Sequence, residues 1–479
     1  MNYSVVAKNL GSLLIVEAAL LLIPALTGNL YGEKVGIWFL TVAAVAGAAG
    51  AALRFLIKTN GRKVRSREGF TIAALSWVIL SLLGAVPFVL SGAIPSYTDA
   101  VFETASGFTT TGASILTDVE AMPKCVLMWR SLTHWIGGMG ILVFILIFTP
   151  SEADSMHIMK AESPGYSVDK LVPKVKQTAR MLYLIYIGLT LLEIILLLLG
   201  GMPLFDTICH AFGTAGTGGF GIKADSIGGY NTYCQVVITI FMLLFGTNFK
   251  LYFLLITKKF KSAFTQQEVI WYYGIYAVLS AVITISIIKD VGSVWQSINL
   301  ATFQAASVMT TTGYATADFD QWNTLAKSSM LLLMIIGACA GSTGGGIKVS
   351  RFLIYLKQIK REMQSLVHPR SVKKIKIDGT SIDEGVLKAT NVFLMVYVMI
   401  LAFSILIVSI DGFDMTSTIT AIVATINNIG PGLGIVGPTG SYHDFSNLSK
   451  WVMIFDMIAG RLELFPMLVL FMPDTWKKR

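Results

Sequence analysis

Four short runs, Thr110-Thr111-Gly112, Thr217-Gly218-Gly219, Thr311-Thr312-Gly313 and Asn428-Ile429-Gly430, carry the residue types needed to hold a bare cation. A dehydrated monovalent cation needs a cage of oxygens at fixed spacing, and backbone carbonyls supply one without a fixed charge. Successive carbonyls turn to one side only where some residues take conformations that a Cβ disfavours, and glycine takes them freely. Threonine hydroxyls add further oxygens. The fourth run replaces threonine with Ile429 but keeps the glycine and its carbonyls. The runs lie in longer segments, FETASGFTTTGAS, ICHAFGTAGTGGF, FQAASVMTTTGYA and ITAIVATINNIGPG, aligned here on Gly112, Gly218, Gly313 and Gly430. Seven residues before each glycine stands Ala105, Ala211, Ala306 or Val423, a small residue where helices approach closely. Tight helix packing alone would account for one such run; four in register favour a shared task.

Two further features suit gates. The run Gly341-Ser342-Thr343-Gly344-Gly345-Gly346 interrupts an apolar stretch, at a cost of about 1 kcal/mol per glycine relative to alanine in a helix. It fails as a phosphate-binding loop, because Ile347 stands where that pattern needs lysine and Val349 follows Lys348. A passive kink or an obstructing intramembrane loop remain. Arg461, in IAGRLELFP, lies within the last apolar span, where a charge is expensive and faces a polar interior or cavity. Its alternatives are an ion pair with Glu463 or Asp456, or an extension of the side chain to the interface. Glu103 would brace a glycine run, attract cations, or sit as a satisfied buried carboxylate. Asn248 and Lys250 face either a pore or the cytosolic interface. His134, His157, His210, His368 and His443 are scattered and suggest no metal site, and Cys125, Cys209, Cys234 and Cys339 show neither disulfide nor zinc spacing.

The elements that must position these residues are membrane spans. More than half of the residues are apolar and few are charged, which leaves lipid as the solvent for most of the chain. A span needs about 20 apolar residues, and such stretches recur from end to end. Two spans come first, near 10–28 and 35–57; the first carries Glu17, lacks a strong basic n-region and is followed at once by another span, so it reads as a retained helix rather than a signal peptide. A pattern of span, short segment and span then occurs four times: 68–92, 96–114 and 126–149; 178–200, 203–221 and 233–256; 267–288, 293–315 and 324–357; 384–410, 413–432 and 447–470. The short segments are too apolar for loops and too short to cross, so they read as half-helices that enter the bilayer and return as extended chain. Non-helical backbone at that depth is tolerated only where protein buries it or water lines it. The expected fold is an all-α polytopic membrane protein: two N-terminal helices (1–67) and four M1–P-loop–M2 repeats (68–173, 174–264, 265–380, 381–479) in a pseudo-four-fold arrangement around one pore.

The net charge of +9 gathers in alternate short loops. Clusters at Lys58, Arg62, Lys63, Arg65 and Arg67, at Lys160 to Arg180, at Lys258 to Lys261, at 357–376 and at the C-terminus place those loops and both termini in the cytoplasm. The partner implied is a lipid bilayer, not nucleic acid.

The TTTGAS, TGGFG, TTTGYATADF and NNIGPGLG runs, as an ordered set spanning essentially the whole chain, resemble the pore loops of the Trk/Ktr/HKT potassium-transporter superfamily. The two extra N-terminal spans resemble its TrkH-type branch. The resemblance implies potassium uptake across the bacterial cytoplasmic membrane. It also implies a homodimer with one pore per subunit and a cytosolic regulatory ring that binds nucleotide, while this chain itself binds no cofactor and holds K+ only as its transported ion, at the filter residues. It gives the broken helix and Arg461 roles as gates beneath the filter. A serine in place of the first filter glycine would imply sodium; Gly112 implies potassium. An ion-coupled (H+ or Na+) potassium symporter and a sodium-permeable relative are the alternatives. A membrane enzyme lacks a convergent nucleophile and base or metal ligands in the spans.

Overall fold

The computed structural model describes residues 1–58, 66–140, 175–369 and 373–477, the side chains of 175–178 excepted. Residues 141–149 of the expected span 126–149, together with His157 and the basic residues Arg62, Lys63, Arg65, Lys160, Lys170, Lys174, Lys478 and Arg479, lie outside the described residues.

The first two helices, Tyr3–Leu30 and Gly36–Leu56, form an antiparallel pair. They cross at Gly11 and Gly50, where an added Cβ would stand within 3 Å of the opposing backbone; small residues let spans approach this closely. The helices Ser66–Gly84, Val175–Leu199, Gln267–Val291 and Glu384–Val408 open the four units. The last three turn apolar side chains such as Leu191, Val278 and Phe403 outward, as lipid-facing helices do. Among the described residues six helices are long and apolar enough to cross a membrane, or seven if one bent pair counts as a span.

Inside them lie four half-helices, Tyr97–Phe108, Leu204–Gly216, Val294–Met309 and Met415–Ile426. Their inner turns are buried on every side; Ala100 to Phe108, for example, is buried without interruption. Ser96, Ser293 and Asp414 start three of them by accepting a backbone N–H from the first turn, and Pro203 precedes the fourth. Each choice satisfies or removes an N–H that a helix start leaves unpaired.

The returning helices differ from the expected single spans. Lys124–Met139 ends at Gly140 (φ 81°). Thr232–Phe245 and Phe249–Ile256 are bent by 89° across Gly246–Asn248. Thr324–Ile336 and Val349–Val367 are separated by residues 337–348, and Asn447–Arg461 stops before a break where Glu463 and Leu464 take positive φ. The sequence signalled only the third of these interruptions. One further departure from an all-α chain is a two-stranded hairpin, Lys376–Ile377 against Thr380–Ser381.

Candidate ion-conducting site

Each half-helix passes into a loop with the same backbone path. Thr110, Thr217, Thr311 and Asn428 are left-handed, with φ of 57°, 53°, 60° and 56°, a conformation uncommon outside glycine. Two residues later Gly112, Gly219, Gly313 and Gly430 have φ of 79°, 77°, 84° and 93°. Between them Thr111, Gly218, Thr312 and Ile429 donate backbone N–H bonds of 2.8 to 2.9 Å to Ser106, Gly213, Ser307 and Ala424. These bonds correct the sequence alignment by one residue in the second segment. Gly219, not Gly218, is the counterpart of Gly112, and Phe212 rather than Ala211 then matches Ala105. Two adjacent glycines satisfy the same sequence pattern, and the left-handed turn at Thr217 together with the Gly218 N–H bond to Gly213 chooses between them.

The four loops meet in a closed order. A Cβ on Gly112 would lie 2.0 Å from the carbonyl oxygen of Gly218, one on Gly219 1.9 Å from that of Thr312, one on Gly313 2.2 Å from that of Ile429, and one on Gly430 2.7 Å from that of Thr111. Each glycine is thus required twice, by its φ and by the neighbouring carbonyl. A cavity opens on one side of this ring, lined by all four glycines together with Lys223 and Tyr442.

Four of the five threonine hydroxyls of the runs, those of Thr111, Thr217, Thr311 and Thr312, are engaged within the protein. Thr111 Oγ1 lies 2.8 Å from Thr109 Oγ1 and accepts from Asn428 Nδ2 at 2.9 Å; Thr312 Oγ1 lies 2.7 Å from Thr310 Oγ1; Thr217 Oγ1 donates to the Gly216 carbonyl. Thr311 Oγ1 accepts from Gly345 N–H at 2.7 Å.

Glu103 is a satisfied buried carboxylate that braces the first loop. Its Oε1 pairs with Arg130 Nε at 2.7 Å and its Oε2 accepts from Ile115 N–H at 3.0 Å. Arg130 reaches on to the Gly221 carbonyl at 3.2 Å and covers the Phe220 ring at 4.1 Å, which ties the first and second segments. His134, passed over in the sequence, sits behind the same pair of loops. Its Nδ1 faces the Gly107 carbonyl at 2.9 Å and its Nε2 accepts from Phe220 N–H at 3.2 Å, partners that assign the neutral Nδ1–H tautomer. Glu103→Leu should therefore leave Arg130 buried without its counter-charge. We expect a loss of about 3–5 kcal/mol, read as earlier thermal melting of the purified protein in detergent; an unchanged melting curve would refute the brace.

The glycine run 341–346 lies against the face of the ring opposite the cavity. A Cβ on Gly344 would stand 2.8 Å from the Thr310 carbonyl, and one on Gly345 2.5 Å from the Asn427 carbonyl. Ser342 Oγ donates to the Cys339 carbonyl, and Thr343 Oγ1 to that of Phe245. Gly341 and Gly346 take positive φ at either end. Glu268 holds the start of this loop, accepting from Ala340 N–H at 2.6 Å and from Asn248 Nδ2 at 3.1 Å. Asn248, which also accepts from Lys250 N–H, thus caps and braces the break in the second unit.

Arg461 spans the space between the loop and the first unit. It donates to the Thr343 carbonyl at 2.7 Å, to that of Gly138 at 2.7 Å, and to that of Gly137. The two carboxylates weighed as its partners are engaged elsewhere: Glu463 with Lys348 at 3.1 Å and with Arg351, and Asp456 with Ser404 at 3.0 Å. Among the described residues no group of three or more His, Cys, Asp or Glu side chains has metal-site geometry.

A family model described as "TrkH: Cation transport protein" matches residues 38–478. The chain is 36% identical to the Trk system potassium uptake protein TrkH of Escherichia coli K12 over 485 residues, covering 100% of both chains. It is 32% identical to TrkG of the same strain over 479 residues, covering 99% of this chain and 98% of the relative. The crystal structure of the potassium transporter TrkH from Vibrio parahaemolyticus superposes with a TM-score of 0.88 at 33% identity, covering 100% of each chain. With a family match over nearly its whole length, the chain belongs to the TrkH family of cation transport proteins, and it is a transport protein rather than an enzyme.

Proposed function

We propose that this chain takes up potassium across the bacterial cytoplasmic membrane through one channel-like pore, with four units in pseudo-four-fold arrangement around it. The closed cycle of glycines and neighbouring carbonyls carries this reading. Carbonyls that face a common axis replace the hydration shell of a monovalent cation. The C-terminal ends of the four half-helices, each with partial negative charge, converge on the same point. The filter ligands are then the carbonyls of Thr110, Thr111, Gly112, Thr217, Gly218, Gly219, Thr311, Thr312, Gly313, Asn428, Ile429 and Gly430. The relatives described above are potassium uptake proteins by name, which favours K+ as the transported ion.

Two gates lie on the cytosolic side. The loop with Gly341, Ser342, Thr343, Gly344, Gly345 and Gly346 obstructs the path, and Arg461 places a positive charge beside it. The basic loops and termini face the cytoplasm by the positive-inside rule. A homodimer and a cytosolic nucleotide-binding ring complete the system in this reading; both rest on the family resemblance.

The test is uptake of rubidium and sodium by proteoliposomes holding the purified protein. Rubidium uptake that excess sodium fails to suppress supports the filter, whereas equal uptake of both ions favours the sodium-permeable alternative. Shortening the loop across 342–345 should raise rubidium flux by about tenfold or more, since its Gly344 and Gly345 backbone stands directly against the filter residues. Unchanged flux in a well-folded deletion would remove the loop's role as a gate.

A further inference from the structure

Two tyrosine hydroxyls hold the loops of the ring in place. Tyr314 follows Gly313 directly and is fully buried. Its hydroxyl donates to the His210 carbonyl of the second half-helix at 3.1 Å and lies 3.4 Å from His210 Nδ1. Gly213 makes the space, because a Cβ there would stand 2.1 Å from the hydroxyl. His210 is fixed in turn: its Nε2 lies 3.2 Å from the Tyr230 hydroxyl, which donates to Asp206 Oδ2 at 2.8 Å. On the other side the Tyr314 carbonyl accepts from Ser307 Oγ at 2.6 Å, and the next carbonyl, Ala315, accepts from Ile227 N–H at 3.0 Å. The chain just beyond the third glycine is therefore anchored to the second and third segments together.

Tyr442 repeats the arrangement between the fourth and first segments. Its hydroxyl donates to the carbonyl of Gly430 itself at 2.7 Å, and its backbone N–H to the Ser114 carbonyl at 2.9 Å. Its ring packs near Phe102 and Phe445, with centroids at 5.5 and 5.8 Å.

A phenylalanine in either place would fill the same space. At Tyr314 the hydroxyl bond itself joins the third segment to the second; at Tyr442 the hydroxyl holds Gly430 of its own segment to a residue whose backbone N–H is anchored on Ser114 of the first. A ring of neutral carbonyls separates ions of equal charge through the size of the cage or the number of oxygens that reach the ion, and both change when a loop is free to close inward. We propose that Tyr314 and Tyr442 are positioning residues that set the cation preference of the filter without touching the ion. The proposal rests on the filter reading above.

Tyr314→Phe, Tyr442→Phe and the double variant test it, in proteoliposomes with rubidium uptake measured against rising sodium. Each single variant should lose rubidium-over-sodium preference by about three- to tenfold, the worth of one hydrogen bond, and the double variant more. Maximal rubidium uptake and thermal melting in detergent should stay near those of the parent protein. An unchanged preference overturns the proposal, and so does an equal fall in both fluxes with earlier melting, which would mark a merely structural role. Tyr442→Leu, which also removes the ring, shows what lost packing looks like in the same assay. Absence of rubidium uptake in the parent protein and in its loop-shortened form would instead overturn the filter reading, and this inference with it.

Discussion

Replacing Gly313 by serine is expected to abolish the preference for rubidium over sodium. The residue has φ of 84°, which a side chain rarely adopts, and its Cβ would arrive 2.2 Å from the Ile429 carbonyl and 2.9 Å from Pro431 Cδ. Backbone cannot yield as the end of a flexible side chain can, so the third and fourth loops must separate. A strained φ costs about 1–3 kcal/mol, and a comparable loss of discrimination corresponds to roughly 5- to 150-fold. Uptake of both ions with a preference near unity is the expected outcome. Retention of the parent preference would show that the third loop does not form part of the ion's cage. Because Gly112, Gly219 and Gly430 face carbonyls in the same cyclic way, serine at each should act in the same direction. Gly430, with the roomiest contact at 2.7 Å, should show the smallest effect.

Arg461→Ala should raise cation flux. A unit charge 4 Å from a passing cation repels it by about 4 kcal/mol at an effective dielectric of 20, and even half of that corresponds to about thirtyfold in rate. The substitution also cuts the bonds from the guanidinium to Thr343, Gly137 and Gly138, which join the 341–346 loop to the first unit. Both consequences point the same way. Arg461→Lys separates them: it keeps the charge but loses the planar fork that reaches several carbonyls, so its flux should fall between the parent and the alanine variant. Reduced flux in Arg461→Ala at normal expression would overturn the barrier.

The spans, the half-helices and the need for glycine were legible because each is a local property. Apolar length marks a span wherever the chain later goes. Ser96, Ser293 and Asp414 mark half-helix starts by chemistry confined to one turn. Three of the four positive-φ glycines of the ring, Gly112, Gly313 and Gly430, announce themselves by their place in the runs.

Breaks in the returning helices were mostly invisible. Gly246-Thr247-Asn248 and Glu463-Leu464 are short interruptions in apolar stretches, and a hydropathy window averages over them. What stabilises each is distant: Asn248 is held by Glu268, and Glu463 by Lys348 and Arg351. His134 and His210 read as scattered in the sequence, since a lone histidine carries no signal until the carbonyl or hydroxyl it meets is in place.

The sequence by itself determined that the chain lives in lipid, that four similar segments enter and return, and that glycine must stand near the turn of each. Tertiary structure alone decided that Gly219 rather than Gly218 completes the ring, and that Arg461 reaches the carbonyls of Thr343, Gly137 and Gly138 while Glu463 and Asp456 turn to other partners. The physical reason is the same in both cases. Every residue offers a carbonyl, so a site built from carbonyls is specified by where the backbone passes. The Thr343 and Gly138 oxygens that meet Arg461 come from 118 and 323 residues away, a separation across which no spacing rule operates.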